Sequence, residues 1–525
     1  MGRRLLQILR EILALAAPFI AFAAHTSAQQ LAGPVGAAVP NRYLIVYRDN
    51  QIPAGAEPFA RSAGARIIGR FEPFGIAIVQ ADPTTSEAAA IAALRSDPNV
   101  EAIVHDRLLS AHSLILRPVV PAVVGISAPA PGAPSAAPYD TYYTSTPQGW
   151  AVVQSGGYGA GVSGGPAHGL WDATLGAGVR IAILDSGVDA THPDIAPNLA
   201  LNLTEIDQSP VTGMPSPCDD GTPQDQEGHG TWTASLAAAA MGPGTGLLIG
   251  VAPAATILNI KVLERLPDPA SAAPDIATQC ATGQAGGLLS WVLQGIEDAI
   301  AQHAGVINLS LGTLVDLDTG EGAGLEATFD RVTYAATQSG AVVVASAGND
   351  GLNLANPRYI ELPAQARGVL AIVASTNPAC AEDLAGGGAC APGPATLPYY
   401  SNFGAPLNAV AAPGGSYPDG PATGVSGWVR GACSSGLPNT LDGPPEVPPS
   451  SPAHSFGCFN LGHTAYVQAI GTSASAALAT GAVALVRAAN PAWTPDQVVA
   501  ALRASAIPTA SLPAAPVLNL TGLVP

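Results

Sequence analysis

Five near-continuous apolar runs dominate the second part of the chain: G-V-R-I-A-I-L-D at 178–185, A-T-I-L-N-I-K-V-L at 255–263, G-V-I-N-L-S-L-G at 305–312, G-A-V-V-V-A-S-A-G-N at 340–349 and G-V-L-A-I-V-A-S at 368–375. A strand with one wet face alternates apolar and polar residues. Runs that do not alternate belong to parallel strands buried on both faces. Helical patterns lie between them, at 231–240, 288–300 and 326–339. Strand and helix in alternation predict an α/β fold built on a doubly wound parallel sheet. Another helical run opens at Ser473 and continues to about Ala489, followed by N-P-A-W-T-P-D-Q-V-V-A-A-L-R-A-S. Residues 508–525 read as a C-terminal tail.

Residues 42–110 form a separate small unit. N-R-Y-L-I-V-Y-R-D reads as a strand, A-R-I-I-G-R-F and G-I-A-I-V-Q-A as two more, and N-V-E-A-I-V-H-D-R as a last one. A helix lies between the third and fourth, capped by Thr85 or Ser86 and closed by Pro98. The order strand, helix, strand, strand, helix, strand is the split βαβ motif of a ferredoxin-like α+β domain. Residues 111–146 are rich in Pro and Ala and favour an extended linker. Residues 1–28 begin basic, continue apolar and end in small residues, the pattern of a secretory signal. The chain is therefore expected to be secreted or periplasmic.

Composition narrows the function. The net charge is −18 and Lys261 is the sole lysine, so the basic footprint of a nucleic-acid binder is missing. Past the N-terminus no uncharged stretch looks like a membrane span, so the mature form is expected to lack one. Six cysteines in an exported chain suggest disulfides. Loop length favours Cys380 with Cys390 and Cys433 with Cys458, leaving Cys218 for Cys280.

Three short strings carry chemistry: I-L-D-S-G-V with Asp185, G-H-G-T with His229 and G-T-S-A-S with Ser473. A hydroxyl needs a base to take its proton, and the base needs a carboxylate to fix its tautomer and stabilise its cation. Asp185 follows a buried strand, where ligand-facing residues of an open sheet gather. His229 and Ser473 each stand where a helix begins, so the Ser473 amide is a donor with the helix dipole behind it. Acyl transfer also builds a negative oxygen that needs preorganised donors. Asn349, after V-V-V-A-S-A-G, supplies the side-chain donor of such an oxyanion site.

Asp185, His229, Asn349 and Ser473, in this order on an α/β sheet, resemble the subtilisin-type serine peptidases. The resemblance runs from about 147 to 507 and implies a catalytic domain there. It includes L-I-G-V-A-P-A-A at 248–255 and A-A-P-G-G at 411–415. V-I-N-L-S-L-G at 306–312 is similar to the family's substrate-binding strand, so Ser310, Leu311 and Gly312 are expected to line the cleft and pair with an extended peptide. Segment 42–110 resembles the family's inhibitory propeptide, which helps folding and blocks the cleft until removed. The function implied is a secreted serine endopeptidase acting through an acyl-enzyme and made as a self-inhibited precursor. Its partners would be protein or peptide substrates and its own propeptide, and the mature form would be a monomer. A non-catalytic binding protein on the same fold and a narrow-specificity processing peptidase are the alternatives.

No cofactor is implied for catalysis. Asp194 matches a position where family members often bind structural calcium, although the companion loop at 241–248 lacks carboxylates. A plain turn aspartate is the alternative. Ala474 stands where the family usually has Met, and Trp232 and Thr233 where a second His and an aliphatic residue are common. Both changes are expected to alter packing near the site. Residues 208–227, 264–285 and 415–465 read as extra loops, the last at the rim of the cleft. His192 reads as packing, His463 as a rim residue, and His105 falls in the proposed propeptide.

Overall fold

The computed structural model describes residues 37–111, 149–157, 169–207, 215–241, 248–268, 275–281, 283–318, 320–376, 395–405, 407–416, 429–437, 459–461, 464–512, 515–520 and 523. The expected signal, nearly all of the linker, Cys380, Cys390, Cys458 and His463 lie outside the described residues.

The N-terminal unit runs β1 (Ala38–Tyr47), α1 (Ala56–Ser62), β2 (Ala65–Phe71), β3 (Ile76–Ala81), α2 (Glu87–Arg95) and β4 (Val100–Ala111), in the expected order. Its strands pair antiparallel as β4-β1-β3-β2. Helix α2 opens at Ser86, whose hydroxyl accepts from the Ala89 amide and satisfies one of the unpaired N–H groups of the first turn. Period-two alternation decides which side chain goes where. Tyr43, Ile45 and Tyr47 pack with Ala56, Ala60, Ala90 and Leu94 of the unit's own helices. Leu44, Val46 and Val104 face the other way, into the core of the large unit with Leu289 and Phe329.

The large unit continues through α3 (Trp150–Gln154), β5 (Arg180–Asp185), β6 (Leu199–Thr204), α4 (His229–Ala238), β7 (Thr256–Lys261), β8 (Glu264–Leu266), α5 (Ile276–Ala281), β9 (Gln284–Leu288), α6 (Leu289–Ala301), β10 (Val306–Leu309), β11 (Leu311–Asp316) and α7 (Gly322–Gln338). It then runs β12 (Val342–Ser346), β13 (Tyr359–Leu362), β14 (Val369–Ser375), β15 (Ala409–Pro413), β16 (Val429–Ala432), β17 (Phe459–Leu461), β18 (Thr464–Ala469), α8 (Thr472–Ala489) and α9 (Pro495–Ser505). Seven strands form a parallel sheet in the order β15-β14-β12-β10-β5-β7-β6. On one face Ile181, Ile183, Val344 and Ile372 join the core formed with α4 and α8. On the other, Ala182, Leu184, Val343 and Val373 join α6 and α7. Both faces are covered, which is why the runs do not alternate. Helix α8 is long and apolar enough to span a membrane, yet 83% of it is buried inside the protein, as befits a core helix.

Strand β4 joins the two units. Beyond its pairing with β1, its last residues run between β9 and β11, antiparallel to both: Leu109 faces Gly287, Ser110 faces Gly286 and Gly312, and Ala111 faces Leu311. The junction is also polar. The buried Asp106 carboxylate accepts from the Ser290 amide (3.0 Å) and hydroxyl (2.6 Å) at the start of α6, and pairs with Arg42 at 2.8 Å. His105 and Arg107 both pair with Glu321, at the start of α7.

Three expectations change. Residues 264–285, expected as an extra loop, hold β8, α5 and the first residues of β9, because β8 and β9 pair with each other. Residues beyond 507 do not trail as a tail: Leu512, Ala515, Leu518 and Leu520 are buried. Ala411 and Leu518 exchange the chain's hydrogen bonds along the outer edge of β15, with Ala411 N to Pro516 O at 2.9 Å and Leu518 N to Ala411 O at 2.8 Å. An uncovered sheet edge is a hazard that this segment removes. The described part of 415–465 is also no mere rim loop. Strand β16 pairs with β18 and packs on α4, where Trp232 Nε1 donates to Val429 O (3.2 Å) and Ala432 N donates to Ser235 Oγ (2.9 Å).

Candidate active site

Strand β5 delivers Asp185 to the C-terminal edge of the parallel sheet, fully buried. The chain then turns away through Gly187, whose φ of +109° favours glycine. His229 is the first residue of α4, and Gly228 before it has φ +104°. Asp185 Oδ1 and His229 Nδ1 are 2.6 Å apart, with both side chains fully buried. The other oxygen, Oδ2, accepts from Thr233 Oγ1 at 3.1 Å, and Oδ1 also accepts the Ser186 amide at 2.7 Å. Burial opposes a charge on His229, but the facing Asp185 carboxylate outweighs it and holds the imidazole pKa above its ordinary value.

Ser473 is the second residue of α8 and is buried; α8 packs along α4. Its hydroxyl donates to Ser310 O at 3.1 Å, and the Ser310 hydroxyl donates back to Ser473 O at 3.1 Å. Nucleophile candidate and cleft strand are thereby fixed to each other. Asn308 Nδ2 donates to Ser310 Oγ at 2.9 Å, which orients that hydroxyl. Asn349 Oδ1 accepts from the Thr472 amide (3.0 Å) and hydroxyl (2.9 Å). With the oxygen end so engaged, the planar amide turns its Nδ2 away from Thr472, as a donor beside the start of α8 must. The structure thus bonds Asp185 to His229, sets Asn349 one residue from Ser473, and ties Ser473 to Ser310, the residue just ahead of the strand that holds Leu311 and Gly312.

Sequence reasoning missed the scaffold beneath these groups. Asp225 is fully buried and receives five hydrogen bonds: Ser186 Oγ (2.9 Å), the Glu227 and Gly228 amides (3.0 and 2.7 Å), and the Thr231 amide and hydroxyl (2.9 and 2.6 Å). Ser186 Oγ in turn accepts the Gly230 amide at 2.8 Å. Asp225 so clamps the turn after Asp185 to the start of α4. Glu227 Oε2 accepts the His229 amide at 3.0 Å, and burial pushes the Glu227 carboxyl up to about 7. A signal was available: two acids directly ahead of a helix complement its N-terminal dipole. Thr233, expected only to alter packing, instead bonds Asp185. Trp232 sits edge-on to the His229 ring, with centroids 5.8 Å apart.

The Cys218–Cys280 disulfide is formed, and Cys433 is disulfide-bonded to a residue outside the described ones. Asp194 is buried and accepts the Tyr466 hydroxyl at 3.0 Å; residues 242–247 of its companion loop lie outside the described residues. Among the described residues no three His, Cys, Asp or Glu side chains gather as a metal site. His192 packs edge-on against Tyr466, with ring centroids 5.6 Å apart, which is its expected packing role.

Comparison with known proteins identifies the family and the fold. The sequence profile of the subtilase family matches residues 176–522, which includes most of the stretch expected as a tail. The chain is similar to thermitase from Thermoactinomyces vulgaris, at 34% identity over 42% of this chain and 62% of that protein. It is equally similar to subtilisin E from Bacillus subtilis, at 34% identity over 34% of this chain and 35% of that protein. It therefore spans about three fifths of the one relative and about a third of the other. Among solved structures it shares a fold with the epidermin leader peptide processing serine protease of Staphylococcus aureus, at TM-score 0.58 and 16% identity, covering 92% of this chain and 97% of that one.

Proposed function

The chain belongs to the subtilase family, and on that premise we propose that it is a serine endopeptidase made as a self-inhibited precursor for export. One observation carries the reading: the buried Asp185–His229 pair at 2.6 Å, with His229 in a helix packed along the one whose second residue is Ser473. In the proposed reaction Ser473 Oγ attacks a peptide carbonyl and its proton passes to His229 Nε2. Asp185 holds the imidazole tautomer and stabilises its cation. Asn349 Nδ2 and the Ser473 amide receive the negative oxygen of the tetrahedral intermediate. His229 then gives its proton to the leaving amine, and water repeats the cycle on the acyl-enzyme.

Segment 42–110 acts as the intramolecular inhibitor. The pairing of Leu109, Ser110 and Ala111 with β9 and β11 supports this, because an extended substrate would pair with the same edges. Asp106 at the head of α6 supports a docked inhibitor further. The Cys218–Cys280 disulfide supports an oxidising destination, for which residues 1–28 would be the signal. The mature enzyme would act as a monomer on proteins or peptides.

A fluorophosphonate probe tests the reading. The processed protein should be labelled at Ser473, and Ser473→Ala should abolish the label. An unlabelled processed protein would favour a binding protein on the same fold.

A further inference from the structure

Strand β9 offers one of the two edges that pair with the chain lying in the cleft: Gly286, Gly287 and Leu288 face Ser110, Leu109 and Leu108. Its sequence, Gln284-Ala285-Gly286-Gly287-Leu288, places two glycines in succession. Glycine loses the most conformational freedom on ordering and weakens a strand. Here Gly287 is needed for space against backbone, and Gly286 lies close to the end of the Leu266 side chain. A Cβ on Gly287 would lie 1.9 Å from Val262 O, and one on Gly286 would lie 2.6 Å from Leu266 Cδ1. Fixing a loose backbone costs conformational entropy, which binding would have to supply unless the strand is held beforehand.

Something does hold it. Strand β8 pairs along the other edge of β9, with Arg265 facing Ala285. The Arg265 side chain is buried. Its Nε donates to Cys280 O (2.5 Å), its Nη2 to Ala281 O (3.1 Å) and its Nη1 to Gln226 O (3.3 Å). Cys280 and Ala281 close α5, which leads directly into β9. Cys280 is bonded to Cys218, in the segment that leads to His229. That segment is anchored in turn: Asp219 Oδ2 accepts the Arg265 amide at 3.0 Å, and the Lys261 ammonium meets both Asp219 oxygens at 2.8 and 2.9 Å. One guanidinium and one disulfide therefore lock the entry to β9 onto the loop that precedes the catalytic histidine.

We propose that Arg265, with the Cys218–Cys280 bridge, is a positioning residue for substrate: it holds β9 ready to pair with an extended peptide. The inference rests on the peptidase reading above. Arg265 touches no substrate atom, so its loss weakens the reading of residues distant from the scissile bond and spares short substrates.

The test compares two substrates on processed protein, normalised by active-site titration. Acetyl-Leu-Leu-Ser-Ala-His p-nitroanilide carries the chain's own sequence 108–112 and reaches β9; acetyl-Ala-His p-nitroanilide does not. In Arg265→Gln the long-to-short ratio of kcat/KM should fall about tenfold or more, chiefly through KM of the long peptide. Cys218→Ser/Cys280→Ser should give the same signature, and it carries the comparison if Arg265→Gln does not fold. A ratio within twofold of wild type in the folded variants, even with both activities reduced together, overturns the inference and marks the junction as structural only. Equal use of both substrates by the wild type overturns it too and leaves the peptidase reading intact. Cleavage of neither substrate by protein that still takes the fluorophosphonate overturns the inference alone; cleavage of neither together with no label overturns both.

Discussion

Gly187 and Gly230 meet backbone to backbone: a Cβ on Gly230 would lie 2.1 Å from the Gly187 carbonyl oxygen. The turn after Asp185 and the first turn of the histidine helix approach that closely because Gly230 carries no side chain; a Cβ on Gly187 would instead meet Pro223 O at 2.7 Å. Gly230→Ala should push the two apart and stretch the Asp185–His229 bond. A misplacement of about 1 Å costs roughly 100-fold in rate. Steady-state kcat/KM should fall by about that factor while circular dichroism stays native; an active alanine variant would mean that the turn relaxes freely.

Removing the oxyanion donor should act on the transition state alone. In Asn349→Leu, kcat should fall by about 10²–10³-fold with KM changed little, the size established for subtilisin's own oxyanion asparagine. Kinetics on titrated enzyme would show it. A rise in KM at constant kcat would instead assign Asn349 to ground-state binding.

The acid limb of kcat/KM should lie above pH about 6.5, the unperturbed histidine value. Only the neutral imidazole accepts the serine proton, and Asp185 holds the His229 pKa up against burial. Glu227 adds to that upward pull from two residues away. In Glu227→Gln the neutral form persists to lower pH, so the limb should move to lower pH, as a pH–rate profile would read. A limb that stays put would leave Glu227 with only its bond to the His229 amide.

His105 in β4 gives the docked precursor a pH dependence. Its ring meets Glu321 and Glu87, lies beside Tyr43 at 5.0 Å and shares Glu321 with Arg107. The hydrogen bond to Glu321, working against burial, raises the His105 pKa above its ordinary value. A raised histidine pKa stabilises the folded state fully below the unfolded value, and that stability is lost as pH rises through the folded value. In Ser473→Ala, kept unprocessed, the melting temperature should fall as pH rises above about 6.5, the unperturbed histidine value, more steeply than in Ser473→Ala/His105→Leu. Calorimetry measures both, and equal slopes would remove His105 from the account.

Much of this architecture was readable in one dimension. The continuous apolar runs foretold a sheet covered on both faces because a strand's side chains alternate by geometry, whatever lies around it. The split βαβ order of 38–111 was legible for the same reason. Asp185, His229, Asn349 and Ser473 stood out because each sits in a short string whose glycines and flanking apolar residues are local requirements of the turn.

What the sequence could not disclose depends on pairs far apart in the chain. Asp225 reads as a solvated loop acid until folding brings Ser186 to within 2.9 Å of it across 39 residues. Thr233 reads as packing until α4 turns its hydroxyl toward Asp185. The terminal stretch around Leu518 reads as a tail until β15 offers an open edge. Local patterning by itself determined the buried parallel strands, the helices between them, their order and the reactive residue types. Only the tertiary structure decided which buried polar atoms satisfy one another, because a hydrogen bond is set by distance in space and carries no trace in sequence separation.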